Sequence, residues 1–251
     1  MRTVTATRYV TPLREGGSLP GIVEADDDGL YVLKFRGAGQ GPKALVAEVV
    51  VAGLAQALGL PVPELVGMEL DPAIGRAEPD PEIQDLLLAS EGLNLGVDFL
   101  PGALMFSPAS GVTPDADLAA QVVWLDALVT NVDRTVQNPN LLEWHGRIWL
   151  IDHGAALYWH HSRPPADPRL DPFAAVRDHV LLPYASSIAE ADERLAPLLT
   201  PEVLDRVVSS IPADWLDDES AGDQDPQVYG DYLAARLEGP RAFAAEAERA
   251  R

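Results

Sequence analysis

Lys34 stands inside Leu30–Phe35 (LYVLKF), a dense apolar run that reads as a strand. An ammonium buried there without a partner would cost several kcal/mol. It therefore needs an anion from the chain or from a ligand, unless the strand lies at an edge and turns the side chain to solvent. Glu48 has the opposite problem, because it is the only charged residue between Lys43 and Glu64. Two lone opposite charges, fourteen residues apart on a strand and on the helix after it, are a natural solution to each other. With Gly16, Gly17 and Ser18 at a turn one hairpin upstream, the group they would hold in common is a phosphate. A plain core ion pair would satisfy the same two residues.

Scarcity marks a second cluster. The chain has four asparagines, and three of them (Asn131, Asn138, Asn140) fall within NVDRTVQNPN at 131–140. It has only two lysines, Lys34 and Lys43, against sixteen arginines. Asp133 and Asn138 stand five apart in a loop that follows a helix. Kinase-type phosphotransferases use that spacing: the Asp orients or deprotonates the acceptor hydroxyl, and the Asn oxygen ligates Mg²⁺. A bare D-x-x-x-x-N is common by chance in an Asp-rich chain, so the flanking elements carry the argument. Downstream, IWLIDHG (148–154) is an apolar strand ending in Asp152, with Gly154 two residues on. It resembles the Asp-Phe-Gly element whose carboxylate holds a metal.

The elements that must position these residues can be read along the chain. Strands are expected at 3–10, Ile22–Ala25, Leu30–Phe35, Leu65–Leu70 and Leu93–Leu100, and a nearly all-apolar, buried helix at Lys43–Leu58. Thr113 reads as an N-cap, with Pro114 opening a helix that runs to about Val129. Leu141–Trp144 and Arg147–Ile151 flank His145-Gly146 as a hairpin whose paired residues sum to 291. That register brings Asn138 opposite His153, beside Asp152. Strict alternation then points the two side chains to opposite faces, so one extra residue is required, with Pro139 marking the expected bulge. Helices are expected at Glu202–Ser210 and Tyr229–Leu237, and the acceptor-recognition segment at about Ala155–Asp171.

Together these elements resemble a HipA-like kinase, a compact bacterial branch related in fold to protein and phosphatidylinositol kinases. AEVVVAGLAQALGLPVPE resembles that family's segment bearing the helix Glu, and NVDRTVQNPN resembles its catalytic loop and the lipid kinases' Asp-Arg-x-x-x-Asn. The resemblance covers roughly residues 15–155. It implies an α+β, bilobal protein kinase-like fold: an antiparallel-sheet N-lobe with one buried helix over 1–95, and a mainly helical C-lobe over 96–251. It implies ATP and Mg²⁺ as cofactors, and a serine/threonine acceptor on a protein or on the chain itself. The alternatives are a small-molecule acceptor, or a catalytically silent scaffold. By analogy Lys34 contacts the nucleotide phosphates and Glu48 holds Lys34. Gly16, Gly17 and Ser18 form the phosphate loop, Asp133 is the catalytic base, and Asn138 and Asp152 bind Mg²⁺. Three positions depart from the relatives: Asn131 replaces the protein kinases' His, Thr135 the lipid kinases' His, and His153 the Phe.

Composition excludes several classes. Among 251 residues, 39 acidic against 18 basic side chains give a formal charge of −21, which argues against nucleic acid or an anionic membrane as the main partner. The absence of cysteine removes disulfides, thiolate metal sites and thiol catalysis, and it fits a reducing cytosol. No apolar run reaches the ~18 residues of a membrane span, which leads to the expectation of a soluble, cytoplasmic protein. GAGQGPK (37–43) lacks the Gly-Lys-Ser/Thr ending of a P-loop. Adjacent His160 and His161 are poorly placed to chelate one metal together, and Trp124, Trp144 and Trp149 read as packing residues.

Overall fold

The computed structural model describes the chain except residues 14–18, 40, 77, 163–164, 219–221 and 224. Gly16, Gly17 and Ser18 therefore lie outside the described residues.

Alternation builds the first part. Strands β1 (Thr3–Pro12), β2 (Gly21–Ala25), β3 (Leu30–Lys34), β4 (Leu65–Leu70) and β5 (Gly92–Asp98) close into a barrel in the order β1-β2-β3-β5-β4. The sheet is not purely antiparallel. Thr3–Thr5 pair in parallel with Gly67–Glu69, and this one parallel ladder closes the ring. Closure removes the free sheet edges that an open sheet would expose. Val4, Val23, Tyr31, Leu33, Val66 and Met68 fill the interior. Along β3 the alternation sends Tyr31 and Leu33 inward, leaving Val32 and Lys34 on the outer face.

Helix α1 (Pro42–Ala57) covers that outer face, with Leu45–Ala52 buried without a break. Its side chains share one hydrophobic cluster with the helical part of the chain, not with the barrel interior. The helix that joins the barrel's interior cluster is instead a second one, α2 (Pro81–Ala89), which contributes Ile83 and Leu87. This helix was not expected from the sequence, although its start signal is present: Asp80 caps the Glu82 N–H at 3.0 Å, and Pro81 follows.

Beyond β5 the chain passes through the two-residue strand β6 (Leu104–Met105) into α3 (Ala116–Leu128). The N-cap of α3 is Asp115, not Thr113, because the Asp115 carboxylate accepts the Leu118 N–H at 2.9 Å. Pro114 thus precedes the cap. Strands β7 (Leu141–Trp144) and β8 (Arg147–Leu150) form the expected hairpin, with Leu141 paired to Leu150 and Trp144 to Arg147. Its two turn residues are both left-handed, His145 at φ 48° and Gly146 at φ 72°, as a tight primed turn requires. Helices α4 (Ile188–Leu195), α5 (Pro201–Val208), α6 (Gln227–Leu237) and α7 (Ala242–Ala250) complete the fold around α3. Trp124 is buried with its indole N–H on Asp192 at 2.8 Å, and Trp144 meets Trp149 edge-on across the hairpin at 5.3 Å.

Candidate active site

Lys34 leaves β3 on the face covered by α1, and its ammonium reaches two carboxylates. One is Glu48, 2 % exposed on α1; the other is Asp152, just after β8, at 2.8 Å. Burial works against the charged form of Lys34, but Glu48 and Asp152 outweigh it and raise its pKa. Burial pushes the Glu48 carboxyl up, opposed by Lys34. At Asp152 the attraction of Lys34 dominates and holds the carboxyl down at about 2. The Asp152 side chain is 48 % exposed, so a charged group open to solvent sits beside a buried pair. Gly154 comes close behind: a Cβ there would stand 3.4 Å from Glu48 Oε1, so the chain after Asp152 runs directly against α1.

The second lysine makes a parallel connection. Lys43, in the first turn of α1, donates to the His160 carbonyl at 2.9 Å. Both lysines thus tie the first part of the chain to the segment that follows β8.

The loop after α3 is folded around Arg134, a guanidinium with 1 % exposure. Its Nε donates to Asp126 at 2.5 Å, Nη1 to the carbonyls of Asn140 and, at 3.2 Å, Ile151, and Nη2 to His153 Nδ1 at 3.0 Å. Asp126 also accepts from Asn131 at 3.0 Å and from His179 Nε2 at 2.9 Å. The Leu181 N–H donates to His179 Nδ1 at 3.0 Å, which leaves the proton on Nε2 for Asp126. Burial would raise the Asp126 carboxyl, but Arg134 and His179 hold it well below the usual carboxylate range. Burial and Arg134 lower His153 to about 3, so it is neutral and its Nδ1 is free to accept. Asn131 completes the loop by accepting the Asp133 N–H at 3.1 Å.

On this base the Asp133 carboxylate accepts from Asn138 Nδ2 at 2.7 Å and from Asn140 Nδ2 at 3.3 Å. The parity problem of the hairpin is not relieved by a bulge at Pro139. The ladder stops at Leu141–Leu150, and Asn140 (φ 47°) and Asp152 (φ 53°) turn the flanking chains in the left-handed region. The Asn138 amide lies on Asp133, and the contact with the strand end runs through Asn140, whose Nδ2 lies 3.4 Å from the Asp152 carbonyl.

Sequence reasoning missed Asp126, His153 and His179 as parts of the site. Asp126 carries the same signal as Glu48, since it is the only charge between Leu118 and Val129. The fourth asparagine, Asn94, has a structural task. It accepts the Arg36 N–H at 2.8 Å and donates to the carbonyls of Ser90 and Gly92, fixing the loop after β3. His160 and His161 face each other through Nε2 at 3.0 Å, and among the described residues no group of three metal-ligating side chains of the His/Cys/Asp/Glu type occurs. A cavity of about 560 Å³ lies away from all of this, between Gly59–Pro61, the start of α3 and the hairpin turn.

Solved structures of kinases share this mixed α+β architecture. The Helicobacter pylori proinflammatory kinase CtkA is 13 % identical, with a TM-score of 0.54 over 99 % of this chain and 98 % of its own. The Golgi casein kinase with Mn/ADP bound is 13 % identical, with a TM-score of 0.56 over 99 % of this chain and 74 % of its own. The fold is therefore kinase-like. No curated protein matches by sequence. The chain belongs to the HipA-like kinase family, whose family model matches residues 7–239. Family and fold together support a phosphotransferase.

Proposed function

We propose that the chain is a Mg²⁺-ATP-dependent kinase that phosphorylates a serine or threonine hydroxyl of a protein, its own included. The observation that carries this reading is the convergence of Lys34, Glu48 and Asp152, from β3, α1 and the end of β8, beside a loop that presents Asp133. In this reading residues 1–95 and 96–251 act as two lobes, the first holding the nucleotide and the second the catalytic loop.

The donor set fits a hard cation. Asp152 offers a solvent-facing carboxylate, and Asn138, exposed with its Nδ2 on Asp133, keeps its amide oxygen free. These two residues would hold Mg²⁺, which when bound neutralises charge on the phosphates. Lys34, kept charged by its two carboxylates, attracts the phosphates electrostatically; Gly16, Gly17 and Ser18, the expected phosphate loop, lie outside the described residues. Glu48 keeps the ammonium in place from behind. Asp133, oriented by two amide donors and a backbone turn, accepts the proton of the acceptor hydroxyl. Arg134, Asp126 and His153 hold the loop and the strand end in register.

The Mn/ADP bound to the Golgi casein kinase supports a nucleotide and a divalent metal for this fold. Among the described residues no helix is long and apolar enough to cross a membrane. The test is incubation with γ-labelled ATP, Mg²⁺ and dephosphorylated casein. Label on casein or on the chain, abolished in Asp133→Ala, is expected; label unaffected by Asp133→Ala would contradict the assignment.

A further inference from the structure

We infer that Asn140 is a positioning residue whose side-chain amide fixes the Asp133 carboxylate relative to the backbone of Asp152. The inference rests on the roles proposed above for Asp133 and Asp152.

Asn140 is buried, at 3 % exposure, and its φ of 47° suits Asn better than most side chains. Its backbone is already held: the carbonyl accepts from the Ile151 N–H at 3.1 Å and from Arg134 Nη1. The side chain is therefore not needed to make the turn. It points its Nδ2 at two groups instead, Asp133 Oδ2 at 3.3 Å and the Asp152 carbonyl at 3.4 Å. One amide nitrogen thus spans the loop carboxylate and the strand end. These contacts are at the long end of the hydrogen-bond range, so they orient the groups more than they bind them. Asn138, the other donor to Asp133, is exposed, and its amide oxygen is assigned to the metal. Asn140 is the buried donor, on a backbone pinned by Arg134, and it sets where the carboxylate points.

Two variants separate orientation from folding. Asn140→Gly keeps the left-handed backbone and deletes the amide. Asn140→Asp keeps the size and replaces the donor by an acceptor. ADP release is measured with Mg²⁺-ATP and dephosphorylated casein, alongside ADP affinity and melting temperature. Both variants are expected to lose about 10–100-fold in kcat, the scale of a displaced catalytic group, with KM for ATP and Kd for ADP within about twofold. Unchanged kcat in Asn140→Gly, or losses that follow only the unfolded fraction, would overturn the inference, as would full activity in Asn140→Asp. Turnover lost in Asp133→Ala but kept in Asn140→Gly sinks this inference alone. A wild type that neither binds ADP nor turns over ATP sinks the proposed function, and this inference with it.

Discussion

Lys34 and Asp152, 118 residues apart in sequence, meet at 2.8 Å. Their contact joins β3 of the barrel to the strand that ends the hairpin, and Glu48 completes it from α1. The ammonium is the only cation in hydrogen-bonding contact with either carboxylate among the described residues, so removing it affects both stability and the site.

Lys34→Met leaves Glu48 buried and unpaired, and breaking a buried pair costs about 3–5 kcal/mol. Adding Glu48→Gln removes the stranded charge, so the double variant should regain much of that loss in urea unfolding. It should not regain nucleotide affinity, because the cation is still missing. A double variant that binds ATP like the wild type would make the pair purely structural.

Asp126→Asn should destabilise by roughly 3 kcal/mol, because it leaves the Arg134 guanidinium buried beside a neutral amide. Arg134→Lys should fare little better. A single ammonium does not reproduce the planar fork that reaches Asp126, two carbonyls and His153 together. Chemical denaturation of each variant checks this; a loss below about 1 kcal/mol in both would show that the network contributes little.

His160 gives a pH dependence of stability. Burial, then His161 and Lys43, lower its pKa from 6.5 to about 3, and Tyr229 lies against its other ring nitrogen at 3.4 Å. Between those two pH values the unfolded chain binds a proton that the folded chain refuses. The His160 contribution therefore falls as pH falls from 6.5 towards 3, by at most about 1.4 kcal/mol per pH unit. In His160→Gln the slope of unfolding free energy against pH should flatten by up to that amount between pH 6 and 4. An unchanged slope would mean that His160 titrates normally in the fold.

Much of this was legible in the sequence because charge is costly in apolar surroundings. A Lys in LYVLKF and a lone Glu in an apolar helix had to be satisfied, and the hairpin register followed from His145-Gly146 alone. What was not legible depended on contacts between distant segments. The parallel pairing of Thr3–Thr5 with Gly67–Glu69 has no local signature. Neither does the meeting of Asp126 with Arg134 and His179, since His179 lies 53 residues away. The left-handed turns at Asn140 and Asp152 replaced the bulge that local alternation required at Pro139. The N-cap of α3 is Asp115 and not Thr113: both residue types cap well, and it is the Asp115 carboxylate that accepts the Leu118 N–H.

Asp133→Ala should separate chemistry from binding. The carboxylate is held by side-chain amides at the surface of a loop whose base is the buried Arg134 network, so its loss should shift the melting temperature little. ATP affinity should stay within about threefold while transfer is lost. A variant that loses ATP binding in proportion to transfer would place Asp133 in nucleotide binding.

The most direct test of the account is the melting temperature with ATP, with and without Mg²⁺, for the wild type and Asp152→Ala. A ligand that binds only the folded state raises the midpoint by mass action, by the equivalent of about 2.7 kcal/mol at a hundred times its Kd. A Mg²⁺-dependent rise is expected in the wild type and is expected to be lost in Asp152→Ala. No rise at saturating Mg²⁺-ATP, or an equal rise in both proteins, would contradict it.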